Sequence, residues 1–450
     1  MSKSTKKSEA RQLMRLALPL MAAQLAQMGM AVVDTVMAGR FSSVDLAGVA
    51  LGGAILWPCM FAMMGVLQAV TPTVAQLNGA NKQSEIGEVI RQALWLALAA
   101  SVIIILIIRN AEPFYVLMNV APEAVAVSLP YLQYSAWGMP ALMAYFVLRF
   151  LAEGLGFTKP AMFIAVFALL AKIPLNYIFM NGLFGMPALG GVGCGLATAI
   201  VMWIELFLII YVVTRRKFNH IAWQSKFSLP SWVRIRKLLI IGTPIGATMF
   251  FEVSMFTFVT ILLGQIGAQA VAAHSIAQSI SGLTYMLPLS LGIAASIRIG
   301  THVGANQLAL ARTTALVAMY STFCVALVGI VFVLSIRHYI VGLYTTDPIV
   351  FEMTVTLMLF VAVYLLFDNS QATAIGALRG YKDTTVPMVF SLVGYWGLGL
   401  PLGACLGFGW ILEPMGIYGF WLGLIAALFV VSFCAIGRLY WVSKNFMIRA

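Results

Sequence analysis

Charged side chains are scarce in this sequence. Only 9% of the 450 residues are Asp, Glu, Lys or Arg, while 62% are hydrophobic. A soluble protein of this length needs a far more polar surface than this composition supplies. The scarcity of charge therefore excludes a soluble globular domain and favours a membrane protein.

Cysteine and histidine are also rare. The five cysteines fall in or beside apolar stretches without the spacing of metal ligands, and the four histidines are scattered. The sequence contains neither the HExxH motif of zinc proteases nor the Gly-x-Ser-x-Gly elbow of hydrolases. These absences exclude a disulfide framework and argue against a membrane-embedded enzyme. We expect no catalytic residues and no cofactor.

Long apolar stretches recur along the whole chain, and each is long enough to cross a bilayer as a helix. We therefore predict an all-α integral membrane protein with twelve transmembrane helices. The predicted spans are 13–36, 46–72, 89–109, 126–150, 161–184, 190–214, 238–264, 274–297, 311–335, 350–377, 386–409 and 415–440.

The net charge of +12 is distributed along the chain in a way that predicts its orientation. The basic residues concentrate at both ends of the chain and in alternate loops, with the largest group in the connection between spans six and seven. The even-numbered loops are predicted to contain, among others, Arg149, Arg298 and Arg379. Only Arg40, Arg109 and Arg337 fall on the opposite side, and Lys172 lies inside a span. By the positive-inside rule both termini are cytoplasmic. Nucleic acid is not expected as a partner, because the basic residues do not form one soluble face.

The sequence repeats itself once, at an offset of 225 residues. Pro19 then aligns with Pro244, and Gly-Ala-Asn at 79–81 aligns with the same tripeptide at 304–306. Each half carries six spans, so both halves enter the membrane from the same side and form a parallel repeat of two six-helix lobes. The predicted domains are an N-terminal lobe (1–214), a cytoplasmic basic connection (215–237) and a C-terminal lobe (238–450).

Five ionisable residues lie well inside the predicted spans: Asp34, Lys172, Glu205, Glu252 and Asp368. Ionisable groups in hydrocarbon are costly and usually mark a path for ions or substrates. Lys172 in span five and Glu205 in span six lie at similar depth, so we predict a structural ion pair between them. The repeat does not duplicate the other carboxylates, so the scaffold itself does not require them.

Helical spacing gives these carboxylates polar neighbours on the same helix faces. Asp34 shares a face with Gln24 and Gln27, Asp368 shares one with Tyr364 and Gln371, and Glu252 follows Thr248 by one turn; Gln278, Ser281 and Tyr285 form a further polar face in span eight. Such oxygen-rich faces suit a monovalent cation or a proton better than a transition metal. A buried carboxylate that binds either a coupling cation or a cationic guest would exchange one for the other, and the membrane potential would drive the export.

Several segments resemble the multidrug and toxic compound extrusion (MATE) family, in particular its bacterial NorM-type branch. They are ALPLMAAQLAQMGMAVVDTVMAGR in span one, PLNYIFMNGLFGMPALGGVG in span five and FDNSQATAIGALRG in span ten. The resemblance implies an inner-membrane antiporter that exports fluoroquinolone-like and ethidium-like cationic drugs in exchange for Na⁺ or H⁺, without any other cofactor. It also implies a monomer, whose partners are such drugs, a monovalent cation and the lipid bilayer.

The resemblance also implies site residues. Glu252, Asp368 and Tyr364 match the cation site of the C-terminal lobe, and Asp34, Asn176 and Thr198 match a cation, proton or substrate site of the N-terminal lobe. We regard Gln278, Gln371 and Asp347 as accessory residues, and Asp347 equally as a helix N-cap. The alternative is a lipid-precursor flippase of the same two-lobed plan, in which several Arg or Lys would line the cavity.

Overall fold

The computed structural model describes residues 3–118, 120–215, 218, 221, 223, 228–410 and 413–448. Throughout these residues the regular secondary structure is helical. Eleven helical segments within them are long and apolar enough to cross a membrane, and one bent pair of helices makes a twelfth span. The all-α membrane fold with six spans in each half is thereby confirmed.

The first half contains nine α-helices and a short 3₁₀ turn at Leu183–Gly185 among its described residues. They are α1 (Lys3–Phe41), α2 (Ser43–Leu67), α3 (Val70–Gly79), α4 (Gln83–Arg109), α5 (Glu112–Leu117), α6 (Pro122–Ala136), α7 (Met139–Gly154), α8 (Lys159–Asn181) and α9 (Val192–Val213).

The second half contains longer helices, one of which changes its winding midway. They are α10 (Trp232–Gly264), α11 (Ala268–Gly304), α12 (Leu308–Tyr344), α13 (Pro348–Gly380), α14 (Thr385–Ser391), a π-helical segment (Leu392–Gly399), α15 (Leu400–Phe408) and α16 (Ile417–Ile448). Together α14, the π segment and α15 form one continuous span, Thr385–Phe408.

Proline explains two irregular spans. The fourth span consists of α6 and α7, which meet at a bend of 50°, and Pro140 stands in the first turn of α7. In the eleventh span, the π segment ends just before Pro401. Proline has no N–H to donate and its ring clashes with the preceding turn, so a helix bends or rewinds around it.

The repeated Gly-Ala-Asn has a conformational cause. Asn81 and Asn306 each follow a helix end and adopt φ = 57°. Asparagine tolerates this left-handed conformation better than most residues other than glycine, so it commonly terminates helices. The structure therefore gives both copies of the tripeptide the same role, which is to end the helix that precedes the next span.

The chain forms two compact units. One consists of Met1–Met21 with Ala247–Ala450, and the other of Ala22–Gly246. The boundaries between the two units fall within α1 and within α10, at positions 225 residues apart, which is the repeat offset. The predicted lobes are instead two continuous stretches of the chain, 1–214 and 238–450, and their boundaries remain a prediction. Residues 216–217, 219–220, 222 and 224–227 of the predicted basic connection lie outside the described residues.

The start of α1 packs against the rest of its unit through a half-buried ionic contact. Arg298 Nη2 on α11 lies 2.6 Å from Glu9 Oε1, and the Thr314 hydroxyl donates to Glu9 Oε2 over 2.9 Å. The apolar pattern predicts that Arg298 is a loop charge. The structure places it inside α11 instead, because this helix continues to Gly304 and Glu9 supplies a buried partner for the guanidinium.

Glycine allows α11 and α13 to pack closely beside the cavity described below. A Cβ added at Gly376 would lie 2.5 Å from the Cα of Gly292. We expect Gly376→Ala to lower the thermal stability of the detergent-solubilised protein, since overpacking costs about 1–3 kcal/mol. Gly329→Ala on α12 is the matched control, because a Cβ there would meet nothing within 4 Å. Unchanged melting of Gly376→Ala would contradict this close packing.

Candidate functional site

A small cavity opens within the unit that contains the C-terminal half. Its polar lining comes from Thr248 and Glu252 on α10, Tyr285 on α11, and Gln371 and Arg379 on α13. The volume is about 20 Å³, and a cavity needs at least about 10–15 Å³ to hold a single water. The cavity can therefore hold one water molecule or one small cation, but not an organic drug.

Two carboxylates of this unit interact electrostatically, one at the cavity and one close to it. Glu252 accepts a hydrogen bond from Tyr285, and Asp368 on α13 accepts one from Tyr364. Asp368 interacts directly with Glu252 through their like charges. Two ionised carboxylates near each other in a low-dielectric interior repel, so this arrangement favours a bound cation or proton.

Two buried oxygens of α13 are available to such a cation. Asp368 Oδ1 and Gln371 Oε1 have no hydrogen-bond partner within the described part of the chain. Both side chains are only 2% exposed. Buried polar atoms normally have a partner, and carboxylate and amide oxygens are ligands for hard cations. The structure thus brings together three of the predicted residues, Glu252, Asp368 and Tyr364, with the accessory Gln371.

Tyr395 is a member of this site that the sequence pattern does not predict. Its side chain is 3% exposed, and its hydroxyl is hydrogen-bonded to the Gln371 side-chain amide. The tyrosine lies in the π segment, and a helical period of 3.6 does not show which face it occupies.

Arg379 is a second such member, and the prediction of a loop at this residue is wrong. The helix α13 continues to Gly380, so Arg379 lines the cavity and interacts electrostatically with Glu252. The signal is present in the sequence, because Arg379 follows Gln371 by eight residues. That separation is close to two helical turns and places both side chains on one face.

The predicted residues of the N-terminal half also meet. Asn176 Nδ2 on α8 donates to Asp34 Oδ1 on α1 over 2.8 Å. Lys172, one turn before Asn176, places its Nζ 2.8 Å from Asp34 Oδ2 and 2.8 Å from the hydroxyl of Thr198 on α9. Thr198 in turn donates to the carbonyl of Cys194 over 2.7 Å.

The predicted ion pair between Lys172 and Glu205 is not the one in the structure. Lys172 pairs with Asp34, and both side chains are at most 5% exposed. Glu205 interacts electrostatically more with Arg149 than with Lys172. Similar depth in the membrane correctly indicates that Lys172 finds a buried carboxylate, but depth alone does not show which neighbouring helix supplies it.

Arg149 forms a second buried ion pair, which the sequence pattern does not predict. Its Nε lies 2.7 Å from Glu153 Oε1, and the two side chains are 4% and 1% exposed. The distribution of basic residues predicts that Arg149, at the end of the predicted span 126–150, belongs to the loop that follows. The helix α7 extends to Gly154, however, so both residues lie on one helix face, four positions apart.

The remaining accessory residues lie apart from these contacts. Asp347 is exposed and caps α13, accepting from the backbone N–H of Ile349 over 2.8 Å and of Val350 over 3.3 Å. This is the second of the two roles predicted for it. Gln278 is half-buried on α11, two turns before Tyr285.

Twelve apolar spans, a repeated lobe and buried carboxylates define a membrane transport protein. The comparisons with known proteins agree. The model of the MatE family matches residues 19–178 and 244–405, so it matches once in each half and at the repeat offset. The chain is 42% identical over 440 residues to "Multidrug resistance protein MdtK" of Yersinia pseudotuberculosis, covering 97% of this chain and 96% of that protein. A protein of the same name from Yersinia enterocolitica is 41% identical over the same lengths.

Solved structures show the same fold at low identity. The Vibrio cholerae MATE transporter VcmN in its bent form aligns with a TM-score of 0.87 and 17% identity, covering 99% of each chain. The eukaryotic MATE transporter AtDTX14 aligns with a TM-score of 0.86 and 18% identity, again over 99% of each chain. The chain belongs to the MatE family and is a transporter, not an enzyme.

Proposed function

We propose that this protein exports cationic amphipathic drugs across the bacterial inner membrane in exchange for Na⁺ or H⁺. The observation that supports coupling most directly is the arrangement of Glu252 and Asp368. Two neighbouring ionised carboxylates repel each other, and Asp368 Oδ1 has no hydrogen-bond partner among the residues that the structure describes, so the pair favours a bound positive charge. The name of the 42% identical Yersinia relatives supports multidrug resistance as the physiological role.

Competition between the drug and the cation for the same carboxylates would link the export of the drug to the import of the cation. A cation or proton that neutralises Glu252 and Asp368 stabilises one conformation of the transporter, and its release stabilises another. A ligand shifts such an equilibrium only by its difference in affinity for the two states. Alternating access then follows, and moving one charge inward releases about 2.3 kcal/mol per 100 mV of membrane potential. We place both termini in the cytoplasm on the distribution of basic residues and propose that the protein acts as a monomer.

Within the N-terminal half, we propose that Asp34, Asn176 and Thr198 form a second charged site. Its contacts with Lys172 bear on the alternative function too. A flippase for pyrophosphate lipids would need buried bases with spare positive charge, whereas Lys172 is paired with Asp34 and Arg149 with Glu153. This pairing favours a cationic guest over an anionic one.

Transport by the purified protein in proteoliposomes tests the proposed function. A Na⁺ or H⁺ gradient that is higher on the side opposite the transporter's cytoplasmic face should drive an ethidium-like dye away from the cytoplasmic face. Collapsing that gradient should stop the movement of the dye. Imposing each gradient alone identifies the coupling cation. Dye movement that is the same with and without both gradients would contradict coupled export.

A further inference from the structure

The Lys172 ammonium lies among the side-chain oxygens of the polar cluster in the N-terminal half. It contacts one oxygen of Asp34 and the oxygen of Thr198, each at 2.8 Å. A carboxylate and a hydroxyl are the kinds of ligand that a monovalent metal ion would take from this site. Asn176 completes the cluster by donating to the other oxygen of Asp34.

The contact between Lys172 and Asp34 is buried, unlike an ion pair on a protein surface. Lys172 and Asp34 are 3% and 4% exposed, Asn176 is fully buried and Thr198 is 8% exposed. An uncompensated charge in such a place is very unfavourable, and removing one partner of a buried pair typically costs about 3–5 kcal/mol. The carboxylate of Asp34 therefore requires either a proton or a neighbouring positive charge, and the chain supplies such a charge from Lys172.

We propose that Lys172 is the resident cation of this site and excludes mobile monovalent cations from it. The inference deepens the proposed function, on which it rests, by assigning cation exchange to the carboxylates of the C-terminal half alone. The site would take a monovalent cation such as Na⁺ only if the ammonium were absent. Asp34 then serves as the partner of an internal lysine, and a mobile coupling cation has no place beside it.

Equilibrium binding of radioactive sodium tests this in protein whose C-terminal carboxylates are neutralised by Glu252→Gln and Asp368→Asn. With Lys172 intact, we expect no saturable sodium binding at alkaline pH. Adding Lys172→Met should create about one saturable sodium site per protein, because the buried carboxylate regains a counter-charge only from the medium. Adding Asp34→Asn as well should remove that site.

Lys159→Met provides the matched control. It removes the same charge from the same helix α8, but at an exposed position in its first turn. We expect no sodium binding from this variant. Lys172→Gln is a second uncharged replacement, able to hydrogen-bond to Thr198, and should behave like Lys172→Met.

Two results would overturn the inference. One is saturable sodium binding in protein that retains Lys172, if that binding is lost on Asp34→Asn. This comparison does not require a variant at residue 172. The other is folded Lys172→Met and Lys172→Gln protein that gains no sodium site. Because all arms lack Glu252 and Asp368, their outcome is independent of whether those two residues couple transport. A failure of the proposed coupling would appear in the proteoliposomes and not in sodium binding to these variants.

Discussion

Asp368→Asn and Glu252→Gln are each expected to reduce gradient-driven efflux by about 100-fold or more. Coupling free energies between sites are typically about 1–3 kcal/mol, and the upper end corresponds to roughly 150-fold. Each substitution removes one of the two like charges whose proximity favours a bound cation. Asparagine and glutamine preserve shape and hydrogen bonding, so the loss would come from charge and not from packing.

Dye transport in proteoliposomes measures this effect, normalised to the amount of folded protein by size-exclusion chromatography. Asp347→Asn is the matched comparison, since it makes the same chemical change on the same helix α13. Asp347 is exposed and caps the helix through backbone N–H groups, and asparagine is an equally good N-cap. We expect this variant to transport at the rate of the unchanged protein.

The outcome separates two roles for the carboxylates. If Asp368→Asn and Glu252→Gln transport normally, the coupling cation binds elsewhere. If both variants retain drug binding but no longer release the drug when the cation is added, the exchange mechanism is supported. Equal loss in Asp347→Asn would indicate that any change on α13 disturbs transport, and the assignment of Asp368 would lose its support.

Much of the fold is predictable because hydrocarbon imposes a simple constraint. A segment without water must satisfy its own backbone as a helix, so length and apolarity locate the spans. The repeat is visible because proline, glycine and asparagine have fixed conformational roles, as φ = 57° at both Asn81 and Asn306 illustrates. The π segment at Leu392–Gly399 is not predictable, since it has the composition of an ordinary apolar helix.

The sequence predicts which residues belong to the candidate sites better than it predicts which of them pair with each other. Buried carboxylates stand out in an apolar sequence, and helical spacing places Asp368 on one face with Tyr364, which donates to it. Which base meets which acid depends on how neighbouring helices rotate, and spacing along one helix carries no information about that rotation. Depth alone therefore pairs Lys172 with Glu205, although the structure pairs it with Asp34.

Helix ends are the second source of error. The sequence predicts loops at Arg149, Arg298 and Arg379 because apolar stretches end near them. The helices continue beyond those stretches. Arg149 and Arg298 are each paired with a carboxylate there, and Arg379 interacts electrostatically with Tyr285 and Glu252. A buried arginine near the end of a span is tolerable when it is paired. Positive charge near a predicted span end is thus weak evidence that the helix has ended.

Arg149→Met is expected to lower the stability of the protein more than Gly376→Ala does. It would leave the Glu153 carboxylate, 1% exposed, without the guanidinium that lies 2.7 Å away. Breaking one side of a buried ion pair costs about 3–5 kcal/mol, whereas replacing both partners by apolar residues is often neutral or stabilising. The double variant Arg149→Met with Glu153→Leu should therefore recover part of the stability that Arg149→Met loses. The recovery is partial because Glu205 also loses its electrostatic interaction with Arg149.

Thermal unfolding of detergent-solubilised protein, followed by the loss of the monodisperse chromatographic peak, measures this difference. Lys82→Met is the matched control, because Lys82 pairs with Glu85 at 3.3 Å on the surface, with the two side chains 59% and 56% exposed. Exposed pairs contribute at most about 1 kcal/mol. If the double variant melts as low as Arg149→Met, the guanidinium contributes packing to α7 instead of compensating Glu153. Equal melting of Arg149→Met and Lys82→Met would instead mean that water reaches the carboxylate.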